Sequence, residues 1–410
     1  MRILIVCQWF PPEYAPIGVM LKELTQDLAA RGHRVSVVTG FPNHPDGVVH
    51  PGYRKRLFAV ERMDGFTVVR CWLYTSPRRT ALHRILNYCS FALTASLAAW
   101  KLTPCDALLM VSPPLTNGLL AVALRRLRGQ RYVFNVQDIY PDAAVTAGLL
   151  TNRALIGLLR GLERAVYRNA DRIAVISEGF QRNLAAKGVP ARKIAVIYNW
   201  LDAREIAPQP RDNPFARGQG LTGRFVVLYS GTIGIISGAE IMLRCARRLA
   251  GQPDIVFLFV GEGAVKETII QQATALGLTN MRFLPFQPRE LLSQVQSTAD
   301  VSVVTLLPGQ GLTSVPSKVL GYMAAARPVL ASVDAESDTR LFVERADCGL
   351  WTPPDDHGAL ADAIMALYHD RQRGRALGRN GREFLMRHCE RQAITAQYER
   401  LFAALREDMV

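Results

Sequence analysis

Several patterns that would assign this chain to a common class are missing from it. Its seven cysteines are odd in number, scattered and without close pairs, which argues against a disulfide framework and against a zinc site. No basic run is interleaved with aromatic residues, so nucleic acid is disfavoured as a partner. The chain has neither a repeat of solenoid length nor a low-complexity tract. These absences indicate a globular protein of a reducing compartment, without a structural metal.

Long apolar runs are missing as well. The first residues, MRILIVCQWFPPE, hold too short an apolar run for a signal peptide and reach two prolines at once. We therefore expect a strand there and a cytoplasmic protein. Residues 78–101 contain an apolar stretch, but polar residues interrupt it at Asn87, Ser90, Thr94 and Ser96. It falls short of the ~18–20 uninterrupted apolar positions that a spanning helix needs.

What is present is ample apolar content and a strong excess of positive charge. The chain has 410 residues, of which 49% are hydrophobic and 20% charged, enough for two domains of roughly 200 residues each. Its formal net charge of +14 favours anionic partners, such as sugar nucleotides or an anionic membrane face.

Short apolar runs alternate with helical patterns along most of the chain. Residues 2–7 form a buried strand, and a loop and an amphipathic helix lead to the next strand at 34–39, which is a β-loop-α-β unit of Rossmann type. Residues 204–223 are rich in Pro, Gly, Asp and Asn and predict a linker. We expect an N-terminal domain at 1–203, a second Rossmann-like domain at 224–388, and a final helix at 389–410 that packs back on the first domain.

One stretch, SVPSKVLGYMAAARPVLAS at 314–332, combines features of an anion site. A polar, proline-kinked loop leads into a short helix, and a buried strand follows. A loop feeding a helix N-terminus favours negative charge, because unpaired N–H groups and the helix dipole point toward it. Lys318 in the first turn opposes that dipole, so a bound anion explains it better than helix stability does. A surface lysine beside an N-cap serine is the alternative.

This stretch resembles the nucleotide-sugar motif of glycosyltransferase family 4, a retaining family. The resemblance is closest to the branch that makes colanic acid, O-antigen and other exopolysaccharides, and it also covers TGFPNHPDG at 39–47 and QDIYPD at 137–142. It implies α/β GT-B architecture, in which two Rossmann-like parallel-sheet domains face a cleft. The family's pair of glutamates is absent, because those positions fall on Thr313 and Gly321.

The resemblance also implies which residues bind a UDP- or GDP-linked sugar, the donor, with no metal and no other cofactor. Lys318 would act in catalysis by stabilising charge on the departing diphosphate. The other implied donor contacts are Gly18, Gly231, Thr232, Gly261, Gly263, Phe286, Pro316, Ser317 and Glu336. Among them, Phe286 falls where the family holds the base, and Glu336 is a candidate to replace the missing ribose carboxylate.

Acceptor contacts are expected at the ends of two strands of the first domain. Asn43, His44 and Asp46 lie in the turn-rich segment that matches the family; a plain turn is the alternative. Asp138 follows a buried strand and is the carboxylate best placed to take the acceptor's proton, with Asp142 behind it. A helix cap is the alternative for Asp138.

Residues 78–101 are the candidate membrane contact. Arg78, Arg79, His83 and Arg84 precede the apolar residues, and Trp100 and Lys101 end them. A basic-flanked amphipathic helix of this kind is typical of segments that lie in an anionic membrane interface. An ordinary core helix is the alternative. We expect peripheral association with the inner face of the cell membrane.

Together these observations predict a retaining, metal-independent glycosyltransferase of bacterial polysaccharide biosynthesis. It would move a sugar from a nucleotide donor to a hydroxyl of a lipid-linked glycan. Two alternatives stay open at the sequence level: a nucleotide-sugar 2-epimerase of the same fold, and a non-catalytic protein that binds a glycan or membrane.

Overall fold

The computed structural model describes residues 1–13, 15–44, 46–54, 56–78, 80–146, 148, 150–311 and 316–407. Thr313, Ser314 and Arg79 therefore lie outside the described residues. The chain forms two compact units. Unit 1 comprises Met1–Asn199 and Arg391–Val410, and unit 2 comprises Trp200–Glu390.

Unit 1 is built on an eight-stranded sheet with the order β3-β4-β2-β1-β5-β6-β7-β8. The strands are β1 Arg2–Val6, β2 Arg34–Gly40, β3 Phe58–Met63, β4 Phe66–Cys71, β5 Ala107–Ser112, β6 Tyr132–Val136, β7 Arg172–Val175 and β8 Ile194–Val196. Neighbours pair in parallel except β3 and β4, which are antiparallel. Every residue of β5 and β6 is buried, as expected for apolar strands covered on both faces.

Helices connect these strands. They are α1 Pro16–Ala30, α2 Ala81–Leu102, α3 Asn117–Arg128, α4 Asp142–Thr146, α5 Arg153–Asn169 and α6 Glu178–Ala186, and the last helix of the chain, α15 Arg391–Glu407, also belongs to this unit. The Arg391 guanidinium donates to both oxygens of Asp27 on α1 at 2.8 Å. Arg31 pairs with Glu399 at 2.8 Å. These ion pairs fix α15 against α1.

Unit 2 contains a six-stranded, all-parallel sheet with the order β11-β10-β9-β12-β13-β14. The strands are β9 Phe225–Ser230, β10 Ile255–Val260, β11 Met281–Leu284, β12 Val301–Thr305, β13 Val329–Ser332 and β14 Gly349–Thr352. Its helices are α7 Pro214–Gly218, α8 Ile241–Arg248, α9 Lys266–Ala275, α10 Leu292–Ser297, α11 Lys318–Ala324, α12 Asp338–Arg345, α13 His357–His369 and α14 Arg371–His388.

Part of the segment predicted as a linker, 204–223, packs against the core of unit 2. Asn213 caps α7 through the N–H of Ala216, and Phe215, Ala216 and Leu221 are buried against β9 and β10 residues. Its turn-forming composition does describe an irregular backbone. However, three apolar residues without periodicity, Phe215, Ala216 and Leu221, pack on the sheet, and composition alone does not reveal that.

In both units the chain adds the next strands on one side of the first strand and later strands on its other side. In unit 1, β1 has β2 on one side and β5 on the other, and in unit 2, β9 lies between β10 and β12. Ligands of open parallel sheets bind outside the carboxyl ends of the strands at such a switch point. Within the described part of the chain, no helix is long and apolar enough to span a bilayer.

Candidate active site

Two glycine loops meet at the carboxyl edge of the unit 2 sheet. Gly231 follows β9 and Gly261 follows β10, with φ angles of +126° and +151° that side chains rarely adopt. A Cβ at Gly261 would overlap the carbonyl oxygen of Gly231, and one at Gly263 would overlap that of Ile233. The two predicted glycine loops therefore pack backbone against backbone at this edge of the sheet.

Lys318 brings a positive charge to this edge. It begins α11, and its Nζ lies 3.7 Å from the centroid of the Tyr229 ring on β9. Its aliphatic end lies over Gly231, where a Cβ would be 3.5 Å from Cε. Burial lowers the pKa of Lys318 from 10.5 to about 7, and no carboxylate of the described residues pairs with it. An anion bound here would relieve that cost.

Tyrosines hold the lysine in place. The Tyr229 hydroxyl donates to the carbonyl of Thr232 at 2.9 Å, which orients the ring beneath the ammonium group. Tyr322, one turn after Lys318 on α11, accepts from the N–H of Ser230 at 3.0 Å. This bond joins α11 directly to the end of β9. The bond of Tyr322 joins α11 to the end of a strand 92 positions earlier in the chain, so local sequence patterns do not indicate it.

The remaining donor candidates of unit 2 are distributed around the same edge. Thr232 is exposed in the loop after β9, and Phe286 is 57% exposed just beyond β11. Pro316 and Ser317 immediately precede α11, and the Ser317 side chain makes no capping bond. Glu336 is exposed in the segment after β13. Its neighbour Asp334, which was not predicted, accepts from the N–H groups of Gly309 and Gly311 and shapes the loop after β12.

Two other positions are internal: Gly321, where one of the family's glutamates is missing, and Gly18, a predicted donor contact. Gly321 is buried in α11, where a Cβ would be 3.6 Å from Ile206 and 3.8 Å from Gln296. Gly18 belongs to unit 1, where a Cβ would be 3.1 Å from the carbonyl oxygen of Trp9. Gly18 thus allows α1 to approach the chain that leaves β1.

Unit 1 has a cavity of about 350 Å³ beside the loops that follow β2 and β4. Two of the predicted acceptor residues, Asn43 and His44, line it. The other lining residues are Trp9, Gly47, Ser76, Arg78, His83, Arg84, Asn87 and Tyr88. Trp9 contacts both His44 and Tyr88, at ring-centroid distances of 6.0 and 6.5 Å. The cavity therefore combines an aromatic wall, amide groups and guanidinium groups, which suits a sugar that carries negative charge.

A buried carboxylate holds this loop, and the sequence did not reveal it. Glu13 Oε1 accepts from the N–H of Asn43 at 2.7 Å and from the N–H of His44 at 2.8 Å. Burial raises the pKa of Glu13, while these backbone donors lower it. Glu13 thus positions the two predicted acceptor residues.

Asp138 lies near the same cavity. It follows β6, and burial raises its pKa from 3.8 to about 6. Burial, and to a lesser extent the charge of Asp138, raises the pKa of Tyr88, which lines the cavity, and that of Tyr140. A carboxylate with a pKa near neutrality is suited to proton transfer.

The other two acceptor candidates, Asp142 and Asp46, are not among the residues that line this cavity. Asp142 begins α4 and pairs with Lys187 at 2.7 Å and with Arg160 at 3.8 Å. Asp46 is exposed. Among the residues that the structure describes, no three His, Cys, Asp or Glu side chains are arranged to hold a metal ion.

Two family models match the chain, one over most of unit 1 and the other over most of unit 2. Residues 17–200 match the glycosyl transferase 4-like domain, and residues 212–384 match glycosyl transferases group 1. The Escherichia coli protein WcaI, named as a colanic acid biosynthesis glycosyl transferase, is 30% identical over 347 residues, which is 82% of this chain and 84% of that protein. WbjE of Pseudomonas aeruginosa, named as a glycosyltransferase, is 30% identical over 63% of each chain.

Solved structures support the same fold. Sucrose-phosphate synthase from Thermosynechococcus elongatus superimposes with a TM-score of 0.75 at 21% identity, covering 98% of this chain and 99% of that one. Anabaena HepE, solved in complex with UDP, gives a TM-score of 0.70 at 18% identity, covering 98% of this chain and 100% of that one. The fold is GT-B, and the chain belongs to the glycosyltransferase family that joins a glycosyl transferase 4-like domain to a group 1 domain.

Proposed function

We propose that this glycosyltransferase transfers a sugar, with retention of configuration, from a nucleotide-sugar donor to a hydroxyl of a lipid-linked glycan in bacterial polysaccharide biosynthesis. The observation that carries the proposal is the Lys318 ammonium over Tyr229 at the switch point of the unit 2 sheet. Retention of configuration is taken from the resemblance to family 4 and not from any one residue.

The donor half of the proposal follows from charge. Departure of a nucleoside diphosphate places negative charge on its terminal phosphate, and a preorganised cation near that phosphate lowers the barrier. Lys318 is such a cation. The glycine loops at Gly231 and Gly261 allow close approach of a diphosphate to the backbone. Because HepE was solved with bound UDP, UDP is the first nucleotide to test, and GDP is the alternative.

The acceptor half rests on the unit 1 cavity. Its aromatic and amide side chains suit a sugar, and Asp138 near Tyr88 suits removal of a proton from the attacking hydroxyl. The names of WcaI, for colanic acid biosynthesis, and of WaaG, a structural neighbour at TM-score 0.66 named for lipopolysaccharide biosynthesis, suggest a bacterial surface polysaccharide as the product.

The face of α2 that is exposed to solvent, its outer face, also agrees with a lipid-linked acceptor. Large apolar side chains on this face are exposed at helical spacing; they are Leu82, Ile85, Leu86, Leu93, Leu97 and Trp100. The opposite face, including Phe91, Ala95 and Ala99, is buried in unit 1. Exposed Arg78 and Arg84 lie at the start of the helix, and Lys101 is exposed at its end. We propose that α2 lies in the interface of an anionic membrane.

The test starts with a thermal-shift screen of nucleoside diphosphates and nucleotide sugars. A donor present at a hundredfold excess over its dissociation constant stabilises the protein by ~2.7 kcal/mol. The donor so identified is then incubated with membrane extracts, and the anomeric configuration of the transferred sugar is determined by NMR. Transfer with inverted configuration would contradict the retaining mechanism. Conversion of the donor alone to its epimer would contradict the proposed transfer.

A further inference from the structure

We propose that unit 1 carries a second ligand site, which binds a small soluble molecule with two phosphate groups at the amino ends of its last strands. The site is a cavity of about 350 Å³, here called the amino-edge cavity. The charged residues that line it are Arg125, Arg168, Asp171, Arg172, Arg192 and Lys193. This site is additional to the donor and acceptor sites of the proposed sugar transfer.

The amino-edge cavity forms where two helices end and two strands begin. Arg125 lies in the last turn of α3, and Arg168 lies in the last turn of α5. Arg172 is the first residue of β7, and Lys193 immediately precedes β8. The acceptor candidate Asp138, in contrast, follows the carboxyl end of β6. The amino-edge cavity therefore lies at the opposite edge of the sheet from the acceptor candidates.

The positive charge of this cavity exceeds what the fold compensates. Five of its lining side chains are cations and one is a carboxylate, Asp171, which pairs with Arg125 at 3.1 Å. The dipole of a helix favours cations at its C-terminus and is equivalent to about half a negative charge there. The ends of α3 and α5 together offset about one positive charge, and Asp171 offsets another. About three positive charges remain for a ligand.

The cations also repel one another. The Lys193 ammonium group donates to the carbonyls of Arg168 and Ala170 at 2.9 and 2.8 Å, which holds it at the end of α5. Burial lowers the pKa of Lys193, and the charges of neighbouring arginines, Arg192 among them, lower it further against the opposing charge of Asp171. An anion in the cavity would offset this repulsion.

Arg168 and Arg192 are the side chains best placed to contact the ligand. Both are exposed at the cavity, and neither forms an ion pair with a carboxylate of the described residues. A guanidinium group can donate two parallel hydrogen bonds to a phosphate. Each phosphate monoester carries about 1.5–2 negative charges at neutral pH. Two phosphate groups therefore match the excess of about three positive charges.

The lining of the amino-edge cavity disfavours two other kinds of ligand. No aromatic side chain is among the described residues that line it, so a nucleotide base would have no ring to stack on. Ala170 is the one apolar residue among them, and it is buried. A lipid tail would therefore find no apolar surface in this cavity. A compact, polar diphosphate fits it best.

The first experiment is a calorimetric titration of inorganic diphosphate into full-length K318A, in which the donor site is weakened. We expect K318A/R168Q/R192Q to bind diphosphate about tenfold more weakly than K318A. K318A/R62Q/R153Q is the matched control and should bind as K318A does. It removes two exposed arginines of unit 1 that lie elsewhere, one on β3 at the far edge of the sheet and one at the start of α5.

A conservative variant separates ligand binding from folding. K318A/R168K/R192K keeps both charges and should recover part of the lost affinity, which a merely misfolded protein would not do. Equal affinity of K318A and K318A/R168Q/R192Q for diphosphate would overturn the proposal. Sulfate that binds K318A as tightly as diphosphate does would also overturn it, because a second phosphate group would then add nothing.

The second experiment distinguishes a soluble ligand from a lipid headgroup, which offers the same phosphate chemistry. The parent and R168Q/R192Q are cosedimented with phosphatidylglycerol vesicles. We expect the two proteins to bind these vesicles equally. Weaker vesicle binding of R168Q/R192Q would overturn the proposal, because the two arginines would then contact the membrane surface.

Discussion

The ammonium group of Lys318 lies 3.7 Å from the centre of the Tyr229 ring. The lysine follows β12 and the tyrosine belongs to β9, and these strands are neighbours at the switch point of the unit 2 sheet. The aromatic face partly replaces the water that the ammonium group has lost. Burial still lowers the pKa of Lys318 to about 7. Binding of an anion beside the amino group therefore favours uptake of a proton by the lysine.

The first prediction concerns stability. The folded-state pKa of Lys318, about 7, lies below the unfolded value of about 10.4. Burying this group therefore costs stability below pH 7, and the cost disappears as the pH rises toward 10. We expect K318M to melt at a higher temperature than the parent at pH 6, with a smaller difference at pH 9. K22M, which changes a half-buried lysine of α1 that lies 3.9 Å from Asp64, is the control. A difference that does not vary with pH would contradict the low pKa.

Asp138 should act on the acceptor and not on the donor. D138N should lower turnover by about 10²–10⁴-fold, the usual contribution of a general base, while UDP affinity stays near that of the parent. Since the pKa of Asp138 is about 6, turnover of the parent should also fall as the pH drops below 6. Turnover of D138N within a few-fold of the parent would limit Asp138 to a structural role. A lowered melting temperature with equal loss of affinity and rate would indicate misfolding.

Glu13 should affect stability and acceptor binding through the Asn43–His44 loop that its carboxylate positions. E13A leaves the buried N–H groups of Asn43 and His44 without their acceptor, which costs about 1–3 kcal/mol for an unsatisfied buried group. We expect a lower melting temperature and a higher KM for the acceptor, with the donor KM unchanged. E13Q keeps one oxygen acceptor and should recover most of both losses. Equal effects on donor and acceptor KM would show that the residue is needed only for folding.

The outer face of α2 should bind anionic bilayers. Cosedimentation of the parent with phosphatidylglycerol vesicles should decrease with added salt. R78Q/R84Q should weaken it by about 1 kcal/mol per basic residue near the surface. L86S/L93S should weaken it without changing the salt dependence, because these two leucines are exposed and uncharged. Negligible cosedimentation even at low salt would remove the membrane role of residues 78–101.

Much of the fold could be predicted from the sequence, because buried parallel strands are continuous apolar runs. Residues 2–7 and 34–39 illustrate this, since both match strands of the unit 1 sheet to within a residue at each end. The region around Lys318 could be predicted from its motif, because a loop that precedes a helix and a buried strand is a local pattern.

The rest depends on contacts between distant segments. Tyr229 becomes a partner of Lys318 only because β9 and β12 are adjacent in the sheet. Glu13 reaches the Asn43 loop because β1 and β2 are adjacent. Asp142 had the sequence context of a site residue, yet Lys187, which follows α6, pairs with it. No local spacing reveals such pairings.

Binding of the donor diphosphate at Lys318 is tested most directly by calorimetric titration of UDP and GDP into the parent protein and into K318A. The titrations are made at several pH values and in buffers of different ionisation enthalpy. The parent should take up protons on binding above pH 7, because the free ammonium group has a pKa of about 7 and the diphosphate requires it charged. Its affinity should fall as the pH rises from 7 to 9. K318A should bind about ten- to hundredfold more weakly at pH 7, without that proton uptake. Equal nucleotide affinity and equal proton uptake in the two proteins would contradict the placement of the donor diphosphate at Lys318.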